Sequence, residues 1–459
     1  MPDFFCELEE KGILMDDLFY LRFRNCNGIL NKSMCSGTIK IKIRNFGPVK
    51  GGLTENDGFM DIFPVTVFCG EQATGKSTVA KIYSIMSWIE KTLVKNDIKD
   101  SFSEKQDIVT VNYNFFLDCC RWQKIHEYFS PDTLIQYEGT AYRIKYENKE
   151  FFYERAETYS NYIRPKIMYV PAERNLLAAL EEAEKMKYLP EILSYLFDEY
   201  SLARKKIDVC RLPVSDIMLV NDKVRNILRV VVDENRSIPI WNASSGIQSV
   251  APLSLVTRHI SYEIFSKKEG KNFRNLSLNE REQLKQKFYE EMNICVPEEL
   301  KSSWEEFSHR MFQRWYSDIR NLFNECFINI VEEPEQNLYP ESQGKVLYEL
   351  LEYMNLNQNN RLVITTHSPY ILSCLTLCAK AYELLKKGVS DDKIDSIIPS
   401  VAAVPGNKIA IYENGEDGVL KRLQHFDNLP SDNNLLNNAL NESNEIFASL
   451  IELEEDNGR

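Results

Sequence analysis

No apolar stretch in these 459 residues approaches the run of about 20 that a membrane-spanning helix requires, although apolar residues make up 44% of the chain, so no membrane span is expected. The opening residues, Met1 to Glu10, carry neither the basic start nor the apolar middle of a secretory signal, which leads to the expectation of a cytoplasmic protein. A disulfide framework is not indicated either. The eleven cysteines are an odd number in a long chain, and neither Cys119-Cys120 nor the pair Cys374 and Cys378 has a second Cys or His pair at zinc-finger spacing, so reduced thiols in cores are expected. Basic residues are in deficit, 55 against 68 acidic, for a net charge of −13. That argues against nucleic-acid binding as a bulk property and leaves a local basic groove as the one route to it.

The length implies one large core with sizeable insertions, or two to three domains. After an N-terminal extension over 1–36, Thr38 to Ile43 alternates with period two and predicts a half-buried strand that ends at the turn Asn45-Phe46-Gly47-Pro48. Phe63 to Cys69 is nearly continuous apolar, as a strand covered on both faces should be, and runs into a glycine-containing loop and then a helix. Residues 133–154 alternate in three runs broken at Gly139 and Asn148, which predicts an antiparallel meander. Ile167 to Val170 is a further buried strand closed by Pro171. The first lobe is therefore drawn over 37–174.

Helical periodicity from Leu176 to Lys206 opens a helical lobe over 175–325. Within it, residues 226–233 and 237–241 look like a hairpin, and a helix-rich stretch from Gln248 to Glu325 carries Trp304, Phe307, Phe312, Trp315 and Tyr316. Its heptads are not sustained, so a compact insertion is expected in place of a long coiled coil. Two core strands, Cys326 to Val331 and Arg361 to Thr366, lie in a region drawn over 326–425. An acidic tail over 426–459 is expected to be helical from Asn433 to Glu455. Asp391, Asp392 and Asp395 fall in a loop-like run without the buried strand a nuclease site needs, so no nuclease is expected.

Four segments carry chemistry. Gly70-Glu71-Gln72-Ala73-Thr74-Gly75-Lys76-Ser77, followed by Thr78, fits the phosphate-binding spacing G-x-x-x-x-G-K-S between a strand and a helix. The glycines let backbone N–H groups close around phosphates, the helix start adds a favourable dipole, Lys76 reaches the β and γ phosphates, and the Ser77 hydroxyl ligates Mg²⁺. Ile328 to Glu335 is a strand ending in paired carboxylates, with Glu333 as the natural general base and Glu332 nearer the metal. Asn329 is a polar interruption that needs a hydrogen-bonding neighbour. Thr365-Thr366-His367-Ser368-Pro369 ends the next strand and places an imidazole where it can touch the γ phosphate or orient water. His126, His259, His309 and His425 have no such setting. Finally, Ala243-Ser244-Ser245-Gly246 precedes a helix that Ser244 or Ser245 would cap, and its free N–H groups could meet a γ phosphate held by another subunit.

Taken with Ile43-Arg44-Asn45-Phe46-Gly47-Pro48, Tyr169-Val170-Pro171-Ala172-Glu173-Arg174 and Glu332 to Pro340, these motifs follow one family order. The sequence resembles the ABC-type P-loop ATPases of the SMC, RecF and overcoming-lysogenization-defect group, and most of all the compact "AAA family ATPase" proteins found beside bacterial anti-phage genes, over residues 37–425. The resemblance implies an α/β ABC-ATPase head, in which a mixed P-loop sheet and an antiparallel meander are joined by a helical lobe. It implies ATP and Mg²⁺ as cofactors, Arg44 and Asn45 beside the P-loop at the nucleotide, and Ser244, Ser245 and Gly246 as a signature motif acting across a homodimer or higher homo-oligomer. Glu333 would be the catalytic base, His367 the switch histidine, and Pro334 to Pro340 the loop linking the two sites. The sequence departs from the family pattern in three places. Glu332 stands where aspartate is usual, Ser245 and Ile247 depart from Leu-Ser-Gly-Gly-Gln, and no glutamine follows Val170, where Glu173 or Arg174 would have to substitute. Two functions follow from different classes: a defence ATPase that controls a separately encoded effector protein docked on the insertion, and a DNA-binding repair ATPase of the RecF type.

Overall fold

The computed structural model describes residues 39–101, 109–181, 189–215, 217–225, 227–233, 235–270 and 324–457. The extension over 1–36 and most of the aromatic insertion, including Trp304, Phe307, Phe312, Trp315 and Tyr316, lie outside the described residues. In chain order the strands of the three larger sheets are β1 (Ile39–Phe46), β2 (Gly52–Leu53), β3 (Met60–Ile62), β4 (Val65–Gly70), β5 (Phe129–Glu138), β6 (Tyr142–Glu147), β7 (Glu150–Arg155), β8 (Pro165–Val170), β9 (Val209–Arg211), β10 (Met218–Asp222), β11 (Ile227–Asp233), β12 (Arg236–Pro239), β13 (Cys326–Glu332), β14 (Arg361–Thr366), β15 (Ile409–Asn414) and β16 (Val419–Arg422). The longer helices are α1 (Lys76–Ser101), α2 (Tyr113–Trp122), α3 (Glu191–Lys206), α4 (Ser245–Gly270), α5 (Pro340–Asn355), α6 (Pro369–Lys386) and α7 (Leu435–Asn457).

A seven-stranded sheet in the order β2-β16-β15-β4-β14-β13-β8 forms the centre, and its strands from β15 to β8 are all parallel. Both faces are covered, which is why these strands are almost wholly apolar. The side chains alternate by the two-residue period of a strand. Val65, Val67 and Cys69 enter a core shared with α4, α5 and α6, whereas Phe68, Tyr169 and Ile330 enter a second core shared with α1, α2 and the meander. The meander is a five-stranded sheet, β3-β1-β5-β6-β7. It is fastened to α1 by Glu90, whose buried carboxylate accepts from Tyr137 Oη at 2.8 Å and from the backbone N–H groups of Ala141 at 2.6 Å and Tyr142 at 3.2 Å. Burial pushes this carboxyl up against the pull of those three donors.

The mixed α/β architecture with a meander agrees with the expectation, and several elements correct it. The hairpin at 226–241 belongs to a four-stranded antiparallel sheet, β12-β11-β10-β9, because β9 and β10 complete it. β15 and β16 extend the central sheet beyond the two late strands expected. Asp391–Asp395 is a short helix and not a loop, and Asp395 accepts from the Ser400 N–H at 2.7 Å, a structural use of the carboxylate. Cys69, Cys119, Cys120 and Cys378 are buried thiols, and burial raises the thiol pKa of each. Among the described residues no helix is long and apolar enough to cross a membrane.

Candidate functional site

The site lies along the C-terminal edge of the parallel strands, where β4, β14 and β13 lie side by side and each delivers one motif. β4 ends at Gly70 with φ +138°, a backbone conformation that favours glycine; a Cβ there would also sit 2.4 Å from the Asn414 carbonyl oxygen at the end of β15. Gly75 has φ +96° and packs against Pro48 and Val49, so the turn after β1 closes over the loop. α1 begins at Lys76, leaving the first N–H groups of that helix without intrahelical acceptors. Glu71, Gln72 and Ala73 are exposed at the loop tip, and Thr74, Lys76 and Thr78 are buried. The Thr74 hydroxyl donates to the Glu71 carbonyl at 2.9 Å, and Asn414 Nδ2 donates to the Thr74 carbonyl at 3.4 Å. Asn414 is a supporting residue that the sequence reading missed.

Lys76 folds back over the loop. Its Nζ donates to the Gly70 carbonyl at 3.0 Å and to the Glu71 carbonyl. Burial lowers its pKa to about 8, opposed by the nearby charges of Glu333 and Glu335. At the loop tip a hydrogen bond to the Glu416 carboxyl, together with the repulsion between the two, raises the Glu71 carboxyl.

β13 is buried throughout. Asn329 finds the neighbour it needs, donating to Thr257 Oγ1 of α4 at 3.0 Å. The two carboxylates at the end of the strand part company. Glu332 is buried, and its oxygens accept from Tyr169 Oη at 2.5 Å and from the Ala172 N–H at 3.0 Å, both at the end of β8. Glu333 takes φ +44°, a conformation costing a non-glycine residue on the order of 1–3 kcal/mol. Its N–H donates to the Thr365 carbonyl at 2.8 Å, and its carboxylate meets His367 Nε2 at 3.2 Å. That contact, with Arg174 and Lys76 in support, outweighs desolvation and lowers the Glu333 carboxyl.

His367 is set in turn by Glu335, whose Oε1 accepts from the His367 N–H and from the Thr366 hydroxyl, both at 2.8 Å. The other Glu335 oxygen is buried and has no hydrogen-bond partner among the described residues, and desolvation raises this carboxyl. Arg174 occupies the centre of the network, fully buried, and donates to the backbone carbonyls of Glu332 and Glu333. The expectation that Glu173 or Arg174 replaces a metal-sensing glutamine is therefore corrected for Arg174: its guanidinium is spent on carbonyls.

Of the remaining expected residues, Asn45 has φ +51° and its carbonyl accepts from Ser130 Oγ at 2.8 Å and Thr133 Oγ1 at 2.6 Å. It lines a cleft of about 410 Å³ with Tyr128 and Asp132. Arg44 is exposed and lies beside Gly58, outside that lining. Ser244 and Ser245 are exposed at the start of α4, with the Ser244 carbonyl accepting from the Gln248 N–H at 3.0 Å, and Gly246 is buried against Asn337 and Leu338. Ser77 is half-buried in the first turn of α1.

Ser77 and Glu332 each carry oxygen donors of the kind a hydrated magnesium ion takes. Ser77 offers a hydroxyl in the first turn of α1, and Glu332, already hydrogen-bonded on both oxygens, keeps lone pairs suited to contact through the waters such an ion retains.

No protein-family model matches the sequence, and no curated protein matches it. Among solved structures the chain is similar to an SMC head bound to the C-winged helix domain of ScpA, at 8% identity and a TM-score of 0.37 over 84% of this chain and 97% of that one. It is also similar to the SMC head domain from Thermotoga maritima, at 8% identity and a TM-score of 0.34 over 84% of this chain and 98% of that one. At these values the function has to be read from the chain's own site.

Proposed function

We propose that this chain is an ABC-type ATPase that binds MgATP on the loop Gly70 to Thr78 and hydrolyses it with Glu333 as general base. The observation that carries the reading is the convergence of Lys76 and the Glu333–His367 pair at one sheet edge, with Lys76 holding the backbone acceptors that phosphates would replace. Loop N–H groups and Lys76 bind the phosphates, and Ser77 with Glu332 would hold Mg²⁺, which supplies charge neutralisation of the β and γ oxygens. Glu333, kept ionised by His367, accepts the proton of the attacking water, and His367 orients that water or the γ phosphate. Wild-type protein should release phosphate from ATP with Mg²⁺ and none with EDTA; no release under either condition would sink the reading.

The assembly is part of the same proposal. The exposed Ser244 and Ser245 at the start of α4 complete the ATP site of a second copy, which makes the enzyme a homodimer or a higher homo-oligomer. A Lys76→Ala chain mixed with a Ser244→Arg chain should recover one composite site per heterodimer; heterodimers without recovery would point to sites contained within one chain. Control of a separate effector in a bacterial defence system rests on the sequence resemblance. Its test is the identity of the protein that copurifies with the chain.

A further inference from the structure

We infer that Arg174 is a positioning residue that ties the turn bearing Glu333 to the first turns of α4, so that the place of that helix end sets the reach of the catalytic carboxylate. The inference rests on the hydrolase reading of Glu333 and adds a residue and a coupling to it. Arg174 is fully buried. Its Nε donates to the Ser249 carbonyl of α4 at 3.1 Å, Nη1 to the carbonyls of Glu332 at 2.6 Å and Pro171 at 3.3 Å, and Nη2 to that of Glu333 at 2.7 Å. One planar fork therefore spans three segments: the end of β8, the end of β13 and α4.

Packing alone does not call for a charge here, since burying a guanidinium is expensive unless its donors are used. These donors are used on carbonyls, and one belongs to a residue whose backbone is in the left-handed region. α4 touches the same turn twice more. Asn337 Nδ2 donates to Ser249 Oγ at 3.3 Å, and a Cβ on Gly246 would lie 2.8 Å from the Asn337 carbonyl oxygen, so no side chain fits between the helix start and the loop. A displacement of the α4 start is thus passed to Glu333 by Arg174 on one side and by residues 336–338 on the other. Lysine keeps the charge but cannot bridge three segments as a rigid fork.

The test is Arg174→Lys in the full-length protein, with three readouts: ATP affinity by equilibrium binding, kcat by phosphate release, and backbone hydrogen exchange without nucleotide. The expected result is unchanged ATP affinity, a kcat lower by about tenfold or more in line with a displaced general base, and faster exchange at both 333–338 and 245–250. An unchanged kcat, or faster exchange in one segment only, overturns the coupling. If wild-type protein hydrolyses no ATP, the hydrolase reading fails by itself and the exchange result still decides whether Arg174 ties the two segments. Should Arg174→Lys fail to fold, Gly246→Ala strains the same junction from the α4 side. It should raise exchange at 333–338, and no change there contradicts the inference.

Discussion

The two halves of the site are built from different materials. The half proposed to bind phosphate, Gly70 to Thr78, is a backbone device: its shape follows from glycine conformations and a helix start, and Lys76 rests on carbonyls within six residues of itself. The carboxylate half is a side-chain device, in which Glu332, Glu333 and His367 are placed by Tyr169, Arg174 and Glu335, two of them from a strand end about 160 positions away. A local motif can be moved as a unit, whereas a network assembled over long sequence distances fails when any member leaves.

Breaking the first half should have the larger effect on binding. Lys76→Ala removes a charged donor to phosphate worth about 1.5–3 kcal/mol, so ATP affinity should fall by about 10- to 150-fold in a titration. Retained affinity would mean that the loop does not hold phosphate. Breaking the second half at its edge should act on stability instead. Tyr169→Phe leaves a buried Glu332 oxygen without its donor, at a cost of about 1–3 kcal/mol in denaturant unfolding, with ATP affinity kept. A loss of affinity with no loss of stability would put Glu332 in direct contact with the ligand.

The smallest expected effect concerns protons. Burial holds Lys76 at about pKa 8 in the nucleotide-free protein, and phosphate oxygens would raise it. Binding should therefore need no extra proton below pH 8 and take one up above it, with affinity falling up to about tenfold per pH unit as pH rises through that value. Calorimetry at pH 9 in buffers of different ionisation enthalpy measures the uptake, and its absence would mean that Lys76 does not meet the phosphates.

The same division explains what was legible in the sequence. Gly70, Gly75, Lys76 and Ser77 could be read from spacing because the loop's geometry is local, and β4 and β13 could be read because strands covered on both faces are mostly apolar. β15 is harder to read: only Ile409 to Tyr412 are apolar before Glu413 and Asn414, and four such residues do not reveal a partner strand about 340 positions earlier. Arg174 was visible only as a charged residue after Val170, and nothing in its spacing says that carbonyls from β13 and α4 converge on it. Glu332 and Glu333 are adjacent, and the sequence assigns them different tasks, Glu332 nearer the metal and Glu333 as the general base. β13 ends at Glu332, whose carboxylate meets Tyr169, and Glu333, past the strand end with φ +44°, meets His367.

Everything proposed for this site turns on Glu333 as the base that acts on ATP held by Lys76. Phosphate release at saturating MgATP by Glu333→Gln, measured beside ATP binding by the same protein, tests it most directly. ATP affinity should be kept and kcat should fall by about 10²- to 10⁴-fold; turnover at the wild-type rate, or folded protein that no longer binds ATP, would rule Glu333 out as that base.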